Sequence, residues 1–185
     1  MPAPATASPT PDDGIPTSCN LESPTCESCC PYTCDPIGVG GNLDFSARTN
    51  CVCFVGDLTY HTVTLTGQSD CAFAAGDYAV VDAGDGDDLI VLGAGPTPGK
   101  NGKAFGGAGA DSITVLQSGE KLNGGNVIHV EVEGGDGDDT IVAAGSQISI
   151  KAGAGDDAVS LVPAFGATSL SQDNQVWGGA GADVL

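Results

Sequence analysis

Short runs of alternating apolar and polar residues, separated by turns rich in glycine and aspartate, organise this chain. Thr59-Tyr60-His61-Thr62-Val63-Thr64-Leu65-Thr66 has a period of two and predicts a β-strand with Val63 and Leu65 on one face. Val127-Ile128-His129-Val130-Glu131-Val132 and Gln147-Ile148-Ser149-Ile150-Lys151 alternate in the same way, with Ile128, Val130, Val132, Ile148 and Ile150 facing in. After residue 75 the pattern becomes a repeat. Five segments align: Ala83-Gly-Asp-Gly-Asp-Asp88-Leu-Ile-Val91, Gly106-Gly-Ala-Gly-Ala-Asp111-Ser-Ile-Thr114, Gly134-Gly-Asp-Gly-Asp-Asp139-Thr-Ile-Val142, Ala152-Gly-Ala-Gly-Asp-Asp157-Ala-Val-Ser160 and Gly178-Gly-Ala-Gly-Ala-Asp183-Val-Leu185.

Each segment follows Gly-Gly-x-Gly-x-Asp-x-U-x, where U is a large aliphatic. Six residues make a turn in which glycines permit positive φ and leave carbonyls exposed. The next three make a short strand whose U side chain points inward. Ile90, Ile113, Ile141, Val159 and Leu185 are then expected to stack as one inner column. The segments start at 83, 106, 134, 152 and 178, in steps of 23, 28, 18 and 26 residues. The shortest step equals two nonapeptides, one full coil, so one edge is expected to carry the aspartate turns and the other loops of variable length.

Composition narrows the chemistry. Lysine plus arginine number 5 against 24 aspartate plus glutamate, a formal net charge of −19 in 185 residues, while the hydrophobic fraction of 41% is too high for a merely disordered chain. Such a surface repels phosphate backbones and anionic lipid, which excludes nucleic acid as a natural partner and favours cations. No apolar run approaches the ~20 residues of a membrane span. The first residues, Met1-Pro-Ala-Pro-Ala-Thr-Ala-Ser, lack the basic and apolar regions of a secretory signal, so either a signal has been removed or export takes another route.

The cysteines Cys19, Cys26, Cys29, Cys30, Cys34, Cys51, Cys53 and Cys71 are confined to the first 71 residues and read as a disulfide framework in an oxidising compartment. Zinc is the competing reading, because Cys26-x-x-Cys29 has ligand spacing. A second such pair is missing, Cys51-x-Cys53 is too tight, and adjacent Cys29 and Cys30 suit bridges better. Eight cysteines allow about 105 pairings, and spacing does not choose among them. The chain thus divides into a Pro/Ser/Thr-rich tail over 1–17, a cysteine-rich stapled unit over 18–75, and a β-roll over 76–185. No Asn-x-Ser/Thr acceptor is present.

The five segments resemble the RTX, or haemolysin-type, calcium-binding repeat, over residues 83–185. The resemblance implies an all-β fold, a parallel β-roll or β-solenoid, here preceded by a small disulfide-rich unit. It implies calcium ions between turns stacked on one edge, up to about four for five turns. The implied ligand set is the glycine carbonyls and aspartates of each turn: Gly84, Gly86, Asp87 and Asp88; Gly107, Gly109 and Asp111; Gly135, Gly137, Asp138 and Asp139; Gly153, Gly155, Asp156 and Asp157; Gly179, Gly181 and Asp183. Asp85, Asp136 and the first aspartate of each doublet, Asp87, Asp138 and Asp156, are weaker candidates than the sixth-position aspartates. Calcium takes six to eight oxygens, which such turns offer, whereas two histidines and no thiols in this half do not suit zinc or copper. Ala83 and Ala152 replace the first glycine, which bears on local turn geometry.

No enzyme motif accompanies the repeats. His61 and His129 are isolated from any nucleophile, the abundant carboxylates are explained by turn repetition, and Trp177 reads as a packing residue at the solenoid edge. The expected function is a secreted or cell-surface structural or adhesive module that folds and stiffens on calcium. The alternative is the accessory region of a larger secreted enzyme or toxin. The fifth repeat stops at its U position, Leu185, and solenoids need caps. The chain is therefore expected to be a fragment, or to pair through an open end with another protomer or a surface ligand. Eight cysteines are unusual for RTX-like proteins exported without a classical signal, which points to a disulfide-forming secretory route.

Overall fold

The protein is represented by a computed structural model that describes residues 25–37, 41–93, 101–116, 129–145, 147–162 and 173–185. One helical turn, α1 (Cys26–Cys29), precedes fourteen strands in chain order. These are β1 (Asp35–Ile37), β2 (Leu43–Asp44), β3 (Val52–Asp57), β4 (Thr62–Thr64), β5 (Cys71–Ala75), β6 (Val80–Asp85) and β7 (Leu89–Leu92), then β8 (Lys103–Ala108), β9 (Ser112–Val115), β10 (Val130–Asp136), β11 (Thr140–Ala144), β12 (Ile148–Ala154), β13 (Ala158–Val162) and β14 (Gln175–Ala180).

Odd-numbered strands form one seven-stranded sheet and even-numbered strands another, each in sequence order, and every pairing is parallel. A chain that visits two sheets alternately and advances one strand at a time is a parallel β-solenoid, the all-β roll the repeats predict. The inward alternation of both sheets supplies its core. Ile90, Ile113 and Ile141 are fully buried and Val159 nearly so, facing Val63, Val81, Ala104, Val132 and Ile150 of the other sheet. The expected column ends there: Leu185 is 67% exposed, because no strand packs beyond it in the described coils. Val130, Ile148 and Leu65 are buried as their alternation predicts, while Ile128 lies outside the described residues.

Steps longer than one coil add no coil. Leu89 pairs directly with Ser112, and Ser112 with Thr140, so the 23- and 28-residue steps preserve register. The surplus falls between β7 and β8, β9 and β10, and β13 and β14, all on one edge of the roll. On the other edge the four crossings from β6 onward have the same length: Asp85 to Leu89 repeats as Ala108 to Ser112, Asp136 to Thr140 and Ala154 to Ala158. That edge holds the aspartate turns.

Three disulfides join Cys26 to Cys53, Cys30 to Cys71, and Cys34 to Cys51. Cys19 and the side chain of Cys29 lie outside the described residues. Cys53 and Cys71 are register neighbours on β3 and β5 and point away from the main core, into a second apolar cluster with Phe73, Leu89 and Val91. The bridges therefore fasten residues 26–34 across the outer surface of the odd-numbered sheet. The change of texture at residue 75 is accompanied by no break in that sheet, because β5 pairs β3 on one side and β7 on the other.

Candidate metal centre

The aspartate turns fold as they do because glycine holds two of their positions. The second and fourth residues of all five turns have φ between +101° and +147°. Crowding excludes a side chain as firmly as φ does: a Cβ on Gly107 would lie 1.8 Å from the carbonyl oxygen of Gly84 in the preceding coil. The turns also bond to one another. Gly86, Gly109, Gly137 and Gly155 each donate an N–H to the third-position carbonyl of the following turn, at 2.6–2.8 Å.

The sixth-position aspartates form a ladder inside this edge. Asp70 donates its N–H to Asp88 Oδ1 (2.6 Å), Asp88 to Asp111 (2.9 Å), Asp111 to Asp139 (2.9 Å), Asp139 to Asp157 (2.9 Å) and Asp157 to Asp183 (3.2 Å). One oxygen of each carboxylate is thus committed to the backbone of the coil before it. The second oxygen is not: Oδ2 of Asp88, Asp111, Asp139 and Asp157 is buried and has no hydrogen-bond partner. Buried carboxylate oxygens are expensive to leave unpaired. The only ion pairs among the described residues, Lys103 with Glu131 and Lys151 with Glu133, lie on the outer face of the other sheet and neutralise none of them.

Electrostatics follow from that isolation. Burial raises the carboxyl of Asp88 to about 9, Asp111 to about 7 and Asp139 to about 6, with neighbouring aspartates adding to the shift and the accepted N–H opposing it. At neutral pH the isolated carboxyl of Asp88 would hold a proton that a cation could replace.

Backbone oxygens converge on the same places. The space beside the Gly106 α-carbon is flanked by Asp111 Oδ2 and the Gly134 carbonyl, 2.2 and 2.5 Å from where a Cβ would stand. Beside Gly134 the flanking atoms are Asp139 Oδ2 and the Ala152 carbonyl, at 2.2 and 2.3 Å. Among the described residues no group of three or more His, Cys, Asp or Glu side chains could hold a metal ion unaided. A cation here must take backbone carbonyls together with one or two carboxylates. That donor set is all oxygen, which fits a hard divalent ion such as calcium and fits zinc or copper poorly.

The first aspartates of the doublets stand apart from the ladder. Asp87, Asp138 and Asp156 are exposed, and their Oδ1 atoms accept the N–H of Ala110, Asp156 and Ala182 from the next coil. Asp85 and Asp136 are exposed at the third position. His61 is half-buried and His129 exposed, while Trp177 is 49% exposed on the outer face of β14, beside Lys151. One ladder member escapes the five-repeat alignment: Asp70 closes Leu65-Thr66-Gly67-Gln68-Ser69-Asp70, which has none of the three motif glycines, Gly67 standing at the variable third position. Its spacing of 18 residues before Asp88, one coil, is the signal that could have found it.

A parallel β-solenoid with an all-oxygen turn edge is the architecture of calcium-binding β-rolls. Residues 80–96, 131–147 and 170–185 match the RTX calcium-binding nonapeptide repeat, in 4 copies across residues 80–185 of the roll. The segments at 106–114 and 152–160 lie outside the matched stretches yet share the register. No curated protein and no solved structure matches the chain. RTX repeats bind calcium, so this is a calcium-binding β-roll module.

Proposed function

We propose that the chain is a secreted or cell-surface structural or adhesive module whose roll folds and stiffens when calcium fills its turn edge. Asp88, Asp111, Asp139, Asp157 and Asp183 supply the carboxylates, and the turn carbonyls at Gly84, Gly86 and their equivalents supply the remaining oxygens. Asp87, Asp138 and Asp156 stand beside them as outer anionic groups. Four gaps separate the five turns, so up to four ions are accommodated. Calcium would contribute charge neutralisation and cross-linking of successive coils. The protein's own part is to hold each carboxylate rigidly through the backbone bond to Oδ1.

The observation that carries this reading is the row of four buried Oδ2 atoms without partners. Without a cation, neighbouring carboxylates about 5 Å apart repel by roughly 1 to 3 kcal/mol at effective dielectrics of 20 to 80. Extracellular calcium modules bind in the range of about 0.1 to 1 mM, so the cytosol would leave the roll empty and secretion would fill it. The disulfides favour the same oxidising location. No catalytic constellation enters this reading.

Far-UV circular dichroism of the non-reduced chain, titrated from EGTA to about 10 mM calcium with magnesium as control, tests it. A cooperative gain of β signal with calcium alone is expected. An unchanged spectrum would remove the reading's support.

A further inference from the structure

The ladder does not end as it continues. Asp70 is fully buried like its neighbours, but both of its carboxylate oxygens are used by the protein. Oδ1 accepts the N–H of Val52 at 2.6 Å, and Oδ2 accepts both the N–H and the hydroxyl of Thr66 at 2.7 Å. Thr66 stands where the next coil has Gly84, since its carbonyl faces the Gly84 α-carbon as Gly84 faces Gly107. Unlike those glycines it does not take a positive φ, and both its donors turn inward onto the carboxylate. Val52, aligned with Asp70 one coil earlier, brings no carboxylate at all.

We propose that the Asp70 turn is a metal-free counterpart of the calcium turns, closed by Thr66, and that it makes the disulfide-fastened coils a calcium-independent template for the rest of the roll. The inference rests on the calcium reading above and assigns where the ion array begins. In the coils of β3 to β6 every ladder oxygen has a protein donor. In those coils Phe54, Leu58, Leu65 and Phe73 are buried, and two bridges end on β3 and β5. At Asp88, Asp111, Asp139 and Asp157 each coil presents a buried carboxylate oxygen with no donor. Without calcium the first part keeps its satisfied hydrogen bonds, and the second is left with buried carboxyl oxygens that have no partner. Folding on calcium then runs in one direction, each coil docking on the edge of the one before it, which removes the cost of nucleating a solenoid in free chain.

Hydrogen exchange of the intact, oxidised chain in EGTA and in calcium at about 100 times its dissociation constant tests this. Amides of β3 and β5 should exchange at similar slow rates in both. Those of β9, β11 and β13 should exchange at least about 100-fold faster in EGTA, the factor expected for one obligatory site. Loss of protection in all strands together would overturn the template while leaving calcium-driven folding intact. Slow exchange everywhere in EGTA would overturn the calcium reading and the template with it. Counting bound calcium by flow dialysis adds a second readout. Asp70→Asn should bind as many ions as the parent, whereas Asp111→Asn should bind fewer. Loss of an ion from a folded Asp70→Asn chain would place Asp70 among the ligands and refute the assignment, and if that variant does not fold, the exchange pattern of the parent decides.

Discussion

Replacing Asp111 by asparagine should change stability in opposite directions with and without calcium. Asparagine keeps an Oδ1 to accept the Asp88 N–H but cannot ionise. Burial raises the Asp111 carboxyl to about 7, so at pH 8 the calcium-free roll must hold it ionised against a folded-state preference for the proton. Relative to an unfolded value near 3.9, that difference costs about 4 kcal/mol at most. The amide removes this cost and introduces one of its own, a buried NH2 at the place of an unpartnered oxygen, at about 1 to 3 kcal/mol. The calcium-free variant should therefore be more stable than its parent by on the order of 1 to 3 kcal/mol. In saturating calcium the order reverses, because the variant loses a ligand from the sites on both sides of its turn. Urea unfolding at pH 8, followed by circular dichroism with the disulfides intact, in EGTA and in 10 mM calcium, measures both signs. Destabilisation under both conditions would mean that Asp111 serves the ladder as a hydrogen-bond acceptor only, and the argument from its unpaired oxygen would fail.

Three further outcomes follow from the same geometry. Asp88, Asp111 and Asp139 have raised carboxyl values, so the folded calcium-free roll binds more protons than the unfolded chain; its stability should be highest near pH 4 and fall as pH rises through about 6, 7 and 9. Unfolding free energies from urea titrations in EGTA should be several kcal/mol larger at pH 5 than at pH 8, and a larger value at pH 8 would contradict the shifts. Gly107→Val places a branched side chain at φ +117° against the Gly84 carbonyl and should cost about 3 kcal/mol or more, seen as a large fall in melting temperature in calcium. Converting Cys30 and Cys71 together to serine opens a cross-link spanning 41 residues; about 4 kcal/mol should be lost, and the residual structure in EGTA should disappear.

Much of the roll is written in the repeat itself. A period-two strand after a six-residue glycine turn specifies which residues face in, and Ile90, Ile113 and Ile141 lie where that rule puts them. The 18-residue spacing of Asp139 and Asp157 specifies one coil, and the longer steps could be loops or extra coils until the pairing of Leu89 with Ser112 is known. Coils before residue 76 are harder to read. Parallel pairing needs only extended backbone and a buried face, and β3 and β5 provide both with Phe54, Ala72 and Ala74, without glycine turns. At the site, the sixth-position aspartates are legible because their register is fixed five times. What the sequence does not show is that the fifth-position Asp87 stays exposed while the sixth-position Asp88 is buried, since both carboxylates belong to the same turn. Nor does it reveal Thr66, whose role comes from a backbone conformation that glycine's absence allows.

The constant crossing length of the aspartate edge fixes the linear density of charge. Successive strands in a sheet are about 4.8 Å apart, so the ladder places one carboxylate per ~4.8 Å along the solenoid axis. Two unit charges in water interact with an energy equal to RT at about 7 Å. Once ionised, a row spaced more closely than that gathers small cations around it, as a polyelectrolyte does, and divalent ions displace them with a gain in entropy. The exposed Asp87, Asp138 and Asp156 thicken the same row. Calcium uptake by this edge should then weaken steeply as sodium chloride rises, which makes the roll a sensor of the ratio of the two ions as well as of calcium itself.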